Sequence, residues 1–286
     1  MEQNLYVKTT EYISLLSLLH EIPVKPIKND PTGPSSARRN VTYVLPFKKE
    51  RILTNTLGFL SSIREDIDHI PAVCVAEERD ANGLVVLLAV NKRTASGGNK
   101  ILQEMERGFE QIFETISRAL SDDEHASSAA ENEVFKAIVS MCSNRILHRL
   151  RLIRNSRTSG RNSIEKLLDK AEACLKYPAN RNSLKFNSVE PTLVSSFLKA
   201  ARDVVKSVDA WRKHQVLTQL EALVESVYRL HRSGTVEKLL DGILSKAMDP
   251  SMKQSLANMV KKVARYREAA RLLSSRRYVR KAFRGK

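Results

Sequence analysis

No signature of catalysis or metal binding occurs along this chain. H-x-E, C-x-x-C and H-E-x-x-H are all absent. The histidines His20, His69, His125, His148, His214 and His231 are scattered without the spacing that gathers metal ligands. Gly97-Gly98 lacks the lysine and serine of a P-loop, and no G-x-S-x-G elbow presents a nucleophile. These absences imply no cofactor, no metal site and no catalytic residue, so the chain is expected not to be an enzyme. His148 and His214 are expected on helix surfaces or at satisfied core edges.

Cysteine is also scarce. Cys74, Cys142 and Cys174 are far apart and odd in number, and each sits in an apolar pattern. Reduced core thiols are expected rather than disulfides, which points to a reducing, intracellular compartment, cytoplasmic or nuclear. The first residues, MEQNLYVKTTEY, carry an early acid and no apolar core, so a secretory signal is not expected. The longest apolar run, Leu84–Val90, is too short to span a bilayer.

What the chain does have is positive charge and helical patterning. Lys and Arg number 48 against 32 Asp and Glu, a formal net charge of +16. A balance so basic suits an acidic partner such as nucleic acid. An apolar fraction of 42% is enough for a sizeable core.

His69 to Asn91 is the clearest β-structure. Val73, Cys74 and Val75 form one apolar run, and residues 84–90 form a second. A polar stretch ending in Asn82-Gly83 joins them, which reads as a hairpin. Neither run alternates strictly, so both strand faces are expected to be covered, and a charge at Leu87 is expected to unfold the domain.

The rest is helical. Residues 3–20 form a first helix, followed by a Pro-rich linker with Pro23, Pro26, Pro31, Pro34 and Pro46. Helical spacing continues over 49–67, 99–120, 131–153 and 163–177. In 99–120 the stripe is Ile101, Met105, Phe109, Ile112, Phe113, Ile116 and Leu120. From Pro191 onward further helices follow through short loops, with a stop at Ser233-Gly234 and a start at Asp249-Pro250. The expected fold is mainly α, an irregular bundle or array of about eight or nine helices with one β-hairpin near 72–91. The expected division is an N-terminal helix and linker at 1–47, a helix–hairpin–helix unit at 48–122, a helical domain at 129–275 and a basic tail at 276–286.

Charge is concentrated at the C-terminus. Residues 253–286 hold twelve basic residues and one acid, Glu268, with Tyr266, Tyr278 and Phe283 interleaved. Such a segment can neutralise phosphates and offer stacking faces. The residues expected to contact nucleic acid here are Lys261, Lys262, Arg265, Arg276, Arg277, Arg280, Lys281 and Arg284. A second run adds Arg145 and Arg149, one turn apart and able to share a helix face. A solvated helix end is the competing explanation for that run.

AVCVAEERDANGLVVLLAVNK, KAIVSMCSNRILHRLRLIRNSR and MDPSMKQSLANMVKKVARYREAARLL together resemble a region of certain fungal proteins. In those proteins it lies upstream of a deaminase-like domain of the zinc-dependent cytidine-deaminase-like fold. The resemblance runs from Lys48 to the end. It implies that the helix at 49–67 and the hairpin are the opening of such a core, followed by a long helical insertion. With H-x-E and C-x-x-C absent, no catalytic residue matches. The chain would then be a truncated or decayed non-catalytic part.

Three functions follow as expectations. The first is a non-catalytic basic helical module that binds nucleic acid or another polyanion. The second is an N-terminal part of a deaminase-like protein. The third is a protein–protein scaffold with a helical partner.

Overall fold

A computed structural model describes residues 7, 11–12, 45–65, 70–77, 83–91, 95–121, 127–153, 162–176, 191–234 and 236–275. By its contacts the chain divides into two units, Met1–Tyr43 and Val44–Lys286. In the first unit Val7, Glu11 and Tyr12 are described, helical and exposed. The remainder of the helix expected at 3–20, and the Pro-rich stretch before Leu45, lie outside the described residues.

The second unit contains eight helices and one two-stranded antiparallel sheet among the described residues. Helix α1, Phe47–Ser61, buries Leu53, Leu57 and Leu60, spaced four and three apart on one face. Strands β1, Pro71–Glu77, and β2, Leu84–Val90, follow. Helix α2, Ala95–Ser121, turns Ile101, Met105, Phe109, Ile112 and Ile116 inward, the stripe read from the sequence. Helix α3, Ser127–Arg149, buries Val134, Phe135, Ile138, Val139, Cys142 and Ile146, which occupy more than one face. It is central, packed along α2 and against two of the helices that follow.

Those following helices are α4, Ile164–Lys176, α5, Pro191–His214, α6, Leu217–Arg232, α7, Val236–Gly242, and α8, Pro250–Ser274. Helix α8 lies along both α3 and α6, and α5 pairs with α6. The α6–α7 turn passes through Gly234 at φ 65°, a left-handed geometry that suits glycine. Helix α8 starts where the sequence places it. Pro250 occupies the first turn, and the Asp249 carboxylate accepts from the Ser251 backbone N–H at 2.7 Å. Its buried residues include Leu256, Met259, Val263, Tyr266, Ala270 and Leu273, and Tyr266 is the bulkiest fully buried side chain.

The hairpin departs from expectation in one respect. Its register pairs Val73 with Leu88, Cys74 with Leu87 and Val75 with Val86. Helix α1 lies against β1 and α2 against β2. Val73, Leu84, Val86, Leu88 and Val90 pack on the core around buried Val75. The alternate residues Ala72, Cys74, Ala76, Val85, Leu87 and Ala89 are exposed, with Leu87 at 57%. So only one face is covered among the described residues, and the expectations of two covered faces and of an inward Leu87 are corrected. Cys74 is corrected with them. It is exposed, whereas Cys142 and Cys174 are the buried thiols expected. The cause is the pleat, which sends successive side chains to opposite faces. A run apolar in both phases does not show which phase faces the helices.

Candidate anion-binding site

The side chains that could act chemically gather where α1, α3, α8 and β1 meet. A concavity of about 450 Å³ is lined by Thr54, Asn55, Gly58, Phe59 and Ser62 from the α1 segment, Val73 from β1, Arg149 from α3 and Arg265 from α8. Its lining contains two guanidinium groups and no carboxylate.

Each element presents its part for a local reason. Leu53, Leu57 and Leu60 fix the buried face of α1, which leaves Asn55 exposed and Thr54 and Gly58 at the edge of the helix. Gly58 has no side chain, and a Cβ built there meets no atom within 4 Å, so it opens directly on the concavity. Arg149 is the last residue of α3, and Arg265 lies on α8 one residue before the buried Tyr266.

Phe59 organises both charges. The Arg265 guanidinium carbon lies 4.3 Å from the Phe59 ring centroid, and that of Arg149 lies 4.7 Å from it. The Tyr266 ring is tilted against Phe59 at 4.7 Å between centroids. Arg149 donates to the Tyr266 hydroxyl at 2.8 Å, and Arg265 donates to the Asn55 carbonyl at 3.2 Å. A guanidinium has five N–H donors in a fixed fork. Stacking on an aromatic ring holds that fork by its flat face and leaves its edge for a ligand. Neither arginine forms an ion pair with a carboxylate among the described residues.

Burial lowers the Arg149 pKa from its usual value. Tyr266 and Glu65 act against that, and Arg145 adds to it. An arginine stays charged through such a shift, so a partly desolvated cation faces the concavity. Burial drives the Tyr266 phenol well above its ordinary value, so the hydroxyl keeps its proton.

The other expected residues divide into groups. Lys261 and Lys262 are exposed on α8, four and three residues before Arg265 and hence on its side of the helix. Glutamate and aspartate are absent from α8 between Pro250 and Arg267. Arg145 is held by protein groups instead. It pairs with Glu65 at 2.9 Å and also donates to the Arg64 carbonyl. Arg145 and Arg149, expected to share a helix face, thus take different partners, and only Arg149 lines the concavity. Arg276, Arg277, Arg280, Lys281 and Arg284 lie outside the described residues. Arg267, basic and two residues from Arg265, turns to the opposite side and meets Glu131 at 3.0 Å and Glu225 at 3.2 Å.

The sequence nominated Arg149 and Arg265 but missed Phe59, which carries no charge and sits in an apolar stretch of α1. Lys48 and Arg51, exposed on α1 at three- and four-residue spacing with Asn55, were also missed. The helical period that places 48, 51 and 55 on one face could have found them. His148 lies at the core edge with Nδ1 buried and without a hydrogen-bond partner among the described residues, and His214 is exposed at the end of α5. No group of three or more His, Cys, Asp or Glu is assembled for a metal among the described residues. No described helix is long and apolar enough to cross a membrane.

Comparison with protein-family models, with curated proteins and with solved structures found no match.

Proposed function

We propose that the chain is a non-catalytic, intracellular module that binds nucleic acid through the surface formed by α1, the end of α3 and α8. The observation that carries this is the pair Arg149 and Arg265. Both are stacked on one phenylalanine, both face one concavity, and neither is neutralised by a carboxylate among the described residues. Desolvating a guanidinium without an ion-pair partner is costly, and an anionic ligand offsets that cost. Lys261 and Lys262 on α8 and Lys48 and Arg51 on α1 extend the positive surface on either side. Each phosphate neutralised releases counterions, which makes such binding depend on salt.

The test is fluorescence anisotropy with single-stranded RNA and duplex DNA across a salt series. Binding should weaken as salt rises. Replacing Lys261 and Lys262 by Gln should lower the magnitude of the salt slope by about 0.7–0.9 per lost contact. Binding that ignores salt, or no binding to either nucleic acid, would refute the proposal and favour a protein-binding scaffold.

A second reading has its own support. The outward hairpin face, with Val85 and Leu87 exposed, is an apolar surface against which further elements of a deaminase-like core could pack, as the sequence resemblance implies. Co-expression with a deaminase-like catalytic domain of those fungal proteins tests it. Failure of the two to form a stable complex would count against it.

A further inference from the structure

The paired arginines carry more charge than one internal phosphate of a nucleic-acid strand. A phosphodiester has a single negative charge, whereas a phosphomonoester carries about −1.5 to −2 at neutral pH and three strong acceptor oxygens. The concavity has the matching features. Arg149 and Arg265 both line it, no acid does, and Thr54 and Ser62 are among its lining residues. Its lining comes from α1, α3, α8 and β1, and it is open to solvent, so the charge of the phosphate rather than enclosure selects the end.

We infer that the concavity between Arg149 and Arg265 is a receptor for a terminal phosphomonoester of a nucleic-acid strand. Rooted in the nucleic-acid reading above, it assigns the two parts of the surface different tasks. Arg149 and Arg265 grip the terminal phosphate by the edges of their stacked guanidinium groups, through charge-assisted hydrogen bonds. Lys261 lies four residues from Arg265, about 6 Å along α8, and meets the phosphodiesters that follow. Lys262 lies beside it. Specificity for the end comes from the paired guanidinium groups, and general affinity comes from the exposed lysines.

Gly58 provides a variant that blocks the pit without disturbing the core. A side chain there enters open space, because a Cβ at this position meets nothing within 4 Å. Gly58→Glu places a carboxylate opposite both arginines. Gly58→Ala adds one methyl group and favours the helix. The full chain is titrated with one RNA sequence bearing a 5′-phosphate, a 3′-phosphate or hydroxyls at both ends. A nucleoside monophosphate is titrated in parallel, at pH 7.5 and pH 5, and thermal melts confirm that each variant is folded.

An end phosphate should raise affinity about tenfold or more, the scale of one or two charge-assisted bonds. Gly58→Glu should abolish that preference, and Gly58→Ala, which adds one methyl group in the same place, should reduce it far less. The preference should shrink at pH 5, where the second phosphate ionisation, near 6, is reversed. Arg265→Met, at an exposed position, should also lose it. Equal binding of all three RNAs in a salt-dependent manner overturns the end receptor and leaves the nucleic-acid reading standing. A preference that survives Gly58→Glu or does not change with pH also overturns it. Binding of the nucleoside monophosphate alone, lost in Gly58→Glu, keeps the phosphomonoester chemistry but assigns it to a small molecule and overturns the nucleic-acid reading. No binding of any phosphate overturns both.

Discussion

Arg265 and Arg267 are two residues apart on α8, equally basic and indistinguishable in composition, yet they should behave in opposite ways when replaced. Arg267 is 14% exposed and holds together three helices. It reaches Glu131 on α3 at 3.0 Å, Glu225 on α6 at 3.2 Å and the Asn132 side-chain oxygen at 2.8 Å. Its guanidinium carbon also lies 4.7 Å from the Phe135 ring centroid. Arg267→Met would leave Glu131, 24% exposed, without this cation and Glu225, 29% exposed, with only the exposed Arg229 at 3.5 Å. Removing one partner of a buried ion pair costs about 3–5 kcal/mol. The carboxylates keep some contact with water, which places the expected loss near 3 kcal/mol. For a unit of this size that is a fall in Tm of about 6–12 °C.

Arg265→Met removes an exposed guanidinium whose protein contacts are the Asn55 carbonyl and the face of Phe59. Exposed changes of this kind stay within about 0.5 kcal/mol, and the lost ring contact adds at most about 1 kcal/mol. Thermal and urea unfolding of the two variants give the comparison directly. A third variant, Glu131→Gln with Glu225→Gln and Arg267→Met, removes both carboxylates that Arg267 served, gives up only the exposed Arg229–Glu225 pair, and should recover most of the loss. If Arg265→Met and Arg267→Met are equally destabilising, or if the triple variant recovers nothing, the assignment of Arg267 to the scaffold and Arg265 to the ligand is wrong.

Three further outcomes are expected. Leu87→Asp should leave the protein folded while Val75→Asp unfolds it, because the first is 57% exposed and the second 5%; circular dichroism separates them, and an unfolded Leu87→Asp would restore the covered-face expectation. Burial pushes the Cys142 thiol up to about 12, and Cys74 is exposed, so an aromatic disulfide reagent at pH 8 should find one fast thiol that Cys74→Ser removes; fast labelling of Cys142 in the folded protein would contradict the packing of α3. Burial first, and then Glu165, Glu172 and Asp209, raise the Asp169 pKa above its ordinary 3.8. A carboxyl raised in the folded state weakens folding as pH climbs through that raised value. Asp169→Asn should therefore raise Tm at pH 7 and lose its advantage below pH 3.8, and a Tm gain that is the same at both pH values would refute this.

Much of the scaffold was legible because its signals are local. The α2 stripe from Ile101 to Ile116 keeps a three- and four-residue spacing, and that spacing alone fixes which face goes inward. Asp249-Pro250 starts α8, and Gly234 ends the turn before α7, by backbone rules that need no partner. Asn82-Gly83 announced the hairpin. The orientation of the hairpin was not legible, because β2 is apolar in both phases and its covered face depends on where α1 and α2 lie.

The site was half legible for the same kind of reason. Charge marked α8 as basic, but at about 100° per residue Arg265 and Arg267 point to different sides of the helix. What separates them is the position of Glu131, Glu225 and Phe59, which belong to three other helices and are distant in sequence. The same sorting applies to the α3 run. Arg145 is drawn to Glu65 and the Arg64 carbonyl, while Arg149, one turn later, feels that acid without pairing with it and reaches Phe59 and Tyr266. A count of basic residues therefore measures two populations at once. Arg145 and Arg267 pair with acids within the unit and hold helices in place, whereas Arg149 and Arg265 are set against an aromatic ring and form no ion pair among the described residues.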